Sequence, residues 1–135
     1  MKNAVYVATG IIVIILSVMI LYSVNTRSVR QTDLDNTVSN SVEQSLNMSL
    51  ESMTYRNLSS SATPEQIEEL NKKMADNCRD CILKQIDTDS IVDIYIYEAD
   101  FQTGILDVEV VQHFKYLNGK EGKVTCRRTG ILKEY

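Results

Sequence analysis

The chain has 135 residues, with 14 Lys and Arg against 18 Asp and Glu, a net charge of −4, one His, three Cys and no Trp. That length leaves room for one small soluble domain of roughly 110 residues beside a membrane segment. The basic residues form no stripe, which argues against a nucleic-acid partner, and any Ser-His-Asp or Cys-His arrangement would rest on His113 alone.

The first element is an apolar run from Ala4 to Val24, 21 positions without a charged residue. As a helix it would span roughly 32 Å, enough to cross a bilayer core of about 30 Å. A dozen Val, Ile and Leu side chains outweigh Thr9, Gly10, Ser17 and Ser23 in insertion free energy. A cleaved signal peptide would have a shorter apolar region and a small-x-small site, and Ser23-Val24-Asn25-Thr26 matches that site poorly. The expectation is therefore a retained single-pass anchor over residues 1–24, with the lipid bilayer as its first partner.

The flanks decide orientation weakly, because Lys2 and the amino terminus nearly balance Arg27 and Arg30. From Ser23 to Thr63, 20 of 41 residues are Ser, Thr or Asn, a composition common in solvated segments outside cells. The expected arrangement is a short N-terminus inside the cell membrane and an extracytoplasmic C-terminal domain.

Residues 25–62 read as an amphipathic helix and a loop. Leu34, Val38, Val42, Leu46, Leu50 and Met53 recur at intervals of four, then three, which makes a narrow apolar stripe. Ser41, Ser45, Ser49 and Ser52 form a small-residue line on the same helix. No Gly or Pro lies between Ile11 and Thr63, so anchor and stripe can form one helix of about 50 residues. A break near Asn25-Thr26 is the alternative. The stripe would face either a partner helix or the chain's own sheet.

Residues 63–135 read as a small helix-plus-sheet domain. Thr63-Pro64-Glu65-Gln66 is a capping box with Pro at the first helical position. Ile67, Leu70, Met74, Cys78, Cys81, Ile82 and Ile86 follow at helical spacing, which predicts a helix from Pro64 to Ile86, ended by Asp87, Thr88, Asp89 and Ser90. Ile91 to Tyr97 is rich in Ile, Val and Tyr, and Leu106 to Tyr116 alternates apolar and polar. Gly104 closes the turn between these strands, and Asn118-Gly119 marks a second hairpin. A three-residue loop with Gly119 left-handed pairs Val110 with Cys126 and places Val124, Cys126 and Leu132 on the face of Val108 and Val110. The predicted class is α+β: a transmembrane helix extended by an amphipathic helix, a second helix, then a three-stranded antiparallel meander.

The cysteines leave several readings open. Cys78 and Cys81 form a C-x-x-C pair, but in the C-terminal half of a helix rather than at the N-terminus where a redox pair gains its low pKa. Zinc would need about four ligands, and strand alternation turns His113 away from Cys126. Buried free thiols and a disulfide from Cys126 to Cys78 or Cys81 both fit. No cofactor or metal is expected, and no catalytic cluster is visible. Asp87, Asp89 and Asp93 lack the Gly and terminal Glu of a calcium loop. Asn47-Met48-Ser49 and Asn57-Leu58-Ser59 match glycosylation sequons. Tyr95 and Tyr97 share the outer face of the first strand with Ile91 and form a candidate contact surface. Lys115, Lys120, Lys123, Arg127 and Arg128, interrupted by Glu121, read as a solvated face.

The layout resembles type IV pilins, and within them the minor pseudopilins of tight-adherence (Tad-like) systems of Gram-positive bacteria. Those proteins carry a long N-terminal helix, apolar then amphipathic, that bears a small antiparallel sheet. The chain departs from the pilin pattern at two points: residues 3–9 are mostly apolar where a charged leader precedes the cleaved Gly, and Ile15 stands where pilins carry a Glu five residues after Gly10. The tail, Gly104 to Val110 and Asn118 to Gly122, is similar to that of single-pass membrane proteins of uncharacterised role in anaerobic Gram-positive bacteria. The resemblance implies a non-enzymatic, membrane-anchored structural or assembly protein, with protein partners or a homo-oligomer formed through the long helix. A membrane-tethered binding or sensing module using the Tyr95 and Tyr97 face is the second expectation.

Overall fold

The computed structural model describes residues 1–51, 63–86 and 89–131. Met53, Ser52, the Tyr55–Ala62 loop, the Asn57 sequon, Asp87, Thr88 and Leu132 lie outside these, and the side chains of Ser49 and Leu50 are likewise not described.

The first helix, α1, runs unbroken over Lys2–Glu51, 50 residues and about 75 Å. The chain does not break at Asn25-Thr26. The second helix, α2, covers Pro64–Gln85. Pro64 opens it, Thr63 N–H donates to Gln66 Oε1 at 3.1 Å, and Ile67 N–H donates to the Thr63 carbonyl at 3.1 Å. These bonds satisfy donors that a helix start leaves free. Three strands follow: β1 (Ile91–Asp100), β2 (Ile105–Lys115) and β3 (Glu121–Ile131), in the order β1-β2-β3.

The β2–β3 register pairs Val110 with Cys126, as the glycine-bulge loop requires. Gly119 has φ +80°, its N–H donates to the Tyr116 carbonyl at 2.9 Å, and Tyr116 N–H donates to the Lys120 carbonyl at 2.9 Å. The β1–β2 register slips by one between Ile96 and Glu98, which leaves Tyr97 as a β-bulge. Strand β1 therefore runs on to Asp100, past the Tyr97 limit that sequence alternation suggests. The bulge resets its parity so that Ala99 meets Leu106 on the core side.

Both helices cover one face of the sheet, α1 over β3 and α2 over β1, and they pack on each other. The core joins Leu34, Val38, Val42 and Leu46 of α1 to Met74, Cys78 and Ile82 of α2, and to Leu106, Val108, Val110, Phe114, Val124 and Cys126 of the sheet. The predicted apolar stripe thus packs on the protein's own sheet. The amphipathic half of α1 shares one core with residues 63–131.

Helix and sheet meet closely. At Gly130 a Cβ would stand 2.5 Å from Val42 Cγ1 and 2.6 Å from Leu46 Cδ1, so only glycine lets α1 settle onto β3 there. Ser41 and Ser45 are fully buried beside the stripe. Ser45 Oγ donates back to the Ser41 carbonyl at 2.6 Å. Ser41 Oγ has no hydrogen-bond partner among the described residues. Small side chains here let α2 approach α1.

Val42→Asp places a charge in this core and will lower stability by about 3 kcal/mol or more. The control Gln44→Asp, on the exposed side of the same turn, will stay within about 0.5 kcal/mol of the parent. Thermal unfolding of the full chain in detergent, followed by circular dichroism, reads both.

Candidate functional site

Among the described residues, four surfaces or clusters offer chemistry: the apolar half of α1, the three thiols, the outer sheet face, and a polar groove where α1 meets the end of α2.

The first half of α1 is long and apolar enough to cross a membrane, and none of its apolar window is buried against the rest of the protein. Tyr6 and Tyr22 bracket the most apolar stretch, about 24 Å apart along the helix. That spacing suits aromatic rings at two bilayer interfaces. The polar side chains inside the span are satisfied internally. Thr9, Ser17 and Ser23 hydroxyls donate to the carbonyls of Val5, Val13 and Met19, four residues back, at 2.8, 2.8 and 2.9 Å. Such back-bonding removes the cost of an unpaired hydroxyl in lipid.

The predicted contact stripe is accounted for inside the fold. Leu34, Val38, Val42 and Leu46 are no more than 6% exposed, all against the sheet and α2. They are not available as a docking line in the folded domain. Leu50, the fifth residue of that stripe, is the one whose side chain is not described.

Cys78, Cys81 and Cys126 are free thiols, two buried and Cys81 half-buried. Burial pushes the Cys78 thiol up to about 11, against the opposing pull of a hydrogen bond with Ser45. Burial, then the neighbouring Asp35 carboxylate, pushes Cys126 up to about 11. Arg128 pulls Cys126 the other way but does not offset burial and Asp35, so neither thiol is held as a reactive thiolate. They behave as small apolar core residues.

The outer sheet face carries Tyr95 and Tyr97, each about half exposed. Tyr97 Oη donates to Glu109 Oε2 at 2.6 Å, and this bond raises the phenol's pKa. The Arg127 guanidinium lies 4.5 Å from the Tyr97 ring centroid, a cation–π contact. Arg127 also grips Asp107 in two places, Nε to Oδ1 at 3.1 Å and Nη2 to Oδ2 at 2.6 Å, and Thr129 Oγ1 donates to Asp107 Oδ1 at 3.2 Å. This bidentate pair holds the Asp107 carboxyl below the usual carboxylate range. His113 sits lower on the same face, 3.1 Å from Asp93 Oδ2, and on the side of the sheet opposite the buried Cys126. Among the described residues, no group of three or more His, Cys, Asp or Glu side chains could hold a metal ion.

The groove, about 260 Å³, is lined by Arg30, Asp33, Leu34, Gln85, Ile86 and Gln112 among others. Arg30 organises it. Its Nη1 donates to Ser90 Oγ at 3.1 Å, its Nη2 pairs with Asp89 Oδ2 at 3.0 Å, and its guanidinium stands 4.7 Å from the Phe114 ring centroid. The pairing with Arg30, and then a bond from Ser90, hold the exposed Asp89 carboxyl low. Gln112 Nε2 donates to the same Ser90 oxygen at 2.9 Å. These groups are consumed by one another, and they fasten α1 to the start of β1.

In sequence, Arg30 counts only as a flanking charge, and the Asp107–Arg127 clamp passes unnoticed. The clamp had a readable signal: the Val110–Cys126 register already sets Glu109 opposite Arg127, with Asp107 one diagonal step away. No family model, curated relative or solved structure matches the chain.

Alkylation of the folded chain at pH 8 will modify Cys81 first and leave Cys78 and Cys126 intact. At a pKa of about 11, only about one buried thiol in a thousand is ionised at that pH. Mass spectrometry of the time course checks the order. Early and equal modification of all three contradicts the packing described.

Proposed function

We propose that this chain is a single-pass, membrane-anchored structural or assembly subunit of the cell envelope, pilin-like in architecture, that carries a rigid α+β domain on the end of its anchor. The observation that supports this reading best is the continuity of α1. One helix of 50 residues passes from the apolar segment into the core of the domain. A tether needs only a flexible linker; a continuous helix fixes the domain's orientation relative to the segment in the bilayer.

Buried in its own sheet, the amphipathic stripe leaves the apolar half of α1 as the surface for lateral assembly. In lipid, helices associate through van der Waals packing and interhelical hydrogen bonds. The domain then stands outside the membrane, with residues 25–135 extracytoplasmic. A second reading, a binding or sensing module, draws on the uncovered outer face of the sheet with Tyr95 and Tyr97. On that face Tyr97 is already committed to Glu109 and Arg127, which leaves Tyr95 as the freer contact.

A photo-crosslinking side chain at Ile15, in the middle of the apolar half, separates the two readings. Assembly through the anchor predicts discrete protein–protein adducts on irradiation of intact membranes, and none from the same probe at exposed Gln44. Lipid adducts alone at Ile15, with protein adducts from a probe at Tyr95, favour the binding module and contradict assembly through α1.

A further inference from the structure

The β2–β3 hairpin points back along α1 toward the apolar segment. Gln31 Nε2 donates to the Thr125 carbonyl at 2.9 Å, and Gly130 lies under Val42 and Leu46. Strand β3 and the second half of α1 therefore run side by side in the same direction. From Thr125 back to Lys120 the strand covers about 16 Å at 3.3 Å per residue. The same length along α1, back from Gln31, is about 11 residues at 1.5 Å each. Allowing for the inclination of a helix to the strands beneath it, the hairpin loop comes level with Tyr22 to Thr26. The apolar segment ends there. Phe114, three residues before Leu117, is already held under the Arg30 guanidinium at 4.7 Å.

The loop is built and rigid. Gly119 at φ +80°, the two Tyr116 backbone bonds, and Lys120 N–H on Asn118 Oδ1 at 3.0 Å fix its shape. Tyr116 packs edge-on against Phe114, ring centroids 5.0 Å apart, which ties the loop base to the core. On this frame Leu117 is 82% exposed, an apolar side chain with no place in the fold. Lys115, Lys120 and Lys123 lie on the same hairpin, with Glu121 as the one acid between Lys115 and Lys123. The hairpin thus carries a local charge of +2 in a chain of net −4. At the other end of the sheet, Glu98 and Asp100 flank the β1–β2 turn, and Asp107 is paired with Arg127.

We propose that the β2–β3 hairpin is a second membrane contact. Leu117 enters the headgroup layer of an anionic bilayer, and Lys115, Lys120 and Lys123 bind its phosphates. An apolar side chain on a lysine-rich hairpin is the composition that interfacial segments use, and basic residues near an anionic surface are attracted within about a Debye length. Lysine stems lie along the apolar boundary while their ammonium groups stay wet. With α1 as one leg and the hairpin as the other, the domain sits against the membrane in a fixed tilt. The proposal rests on the anchor reading above.

The chain has no Trp, so a single introduced Trp reports one position. Full-length Leu117→Trp, Gln102→Trp and Tyr22→Trp are reconstituted in vesicles of phosphatidylcholine, with and without phosphatidylglycerol, whose acyl chains are brominated near the headgroup. The expected result is blue-shifted, bromine-quenched emission from Leu117→Trp in the anionic vesicles, and unquenched, water-like emission from Gln102→Trp at the far turn. Changing Lys115, Lys120 and Lys123 to Gln in the Leu117→Trp background will remove the quenching. If Leu117→Trp emits like Gln102→Trp where Tyr22→Trp is quenched, the anchor stands and the hairpin contact is overturned. If Tyr22→Trp is itself unquenched, the anchor reading fails and takes this proposal with it. Quenching that survives loss of the three lysines overturns their part in it.

Discussion

Burial of four side chains on one helix holds this molecule together. The second half of α1 is rich in Ser, Thr and Asn, each a few tenths of a kcal/mol worse than Ala in a helix. Such a segment would not stay helical by propensity. Leu34, Val38, Val42 and Leu46 change the balance, since each gains about 1.5–3 kcal/mol on full burial. The i, i+4 spacing delivers all four to the same sheet, and Gly130 clears the space for the last two. The preceding turns continue that same helix into the apolar segment.

Much of this was legible in sequence because it rests on local rules. The apolar run, the capping box at Thr63 and the apolar spacing of α2 follow from one-dimensional patterns. Even the β2–β3 register could be read, because a left-handed glycine after Asn118 permits one loop that keeps the apolar face intact, and the structure has that pairing. The continuity of α1 was open, since no residue at Asn25-Thr26 either forces or forbids a break. In the structure the helix runs through these residues unbroken.

What stayed hidden is non-local. The bulge at Tyr97 has no glycine or proline to mark it. It arises where β1 must stay aligned with β2 while placing Ala99 over the core. The Arg30 contacts join residues some sixty positions apart in the chain. The cysteines show the same limit in another form. Spacing cannot say whether two thiols meet, and here burial makes Cys78 and Cys126 parts of the packing, Cys78 beside Ser45 between the helices and Cys126 beside Asp35 under α1, while Cys81 is half-buried. Of the candidate stripe, Leu34, Val38, Val42 and Leu46 pack on the chain's own sheet and α2, a partner that only the fold reveals.

One continuous helix joins the apolar segment to the domain. Spin labels introduced as non-canonical residues at exposed Ile20 and Gln44, on either side of Asn25-Thr26, test it in lipid nanodiscs by pulsed electron resonance. A continuous helix predicts a single narrow distance near 36 Å, at about 1.5 Å per residue. A broad distribution, or a maximum well below that value, would mean that the helix bends at the membrane surface and that the domain swings free of its anchor.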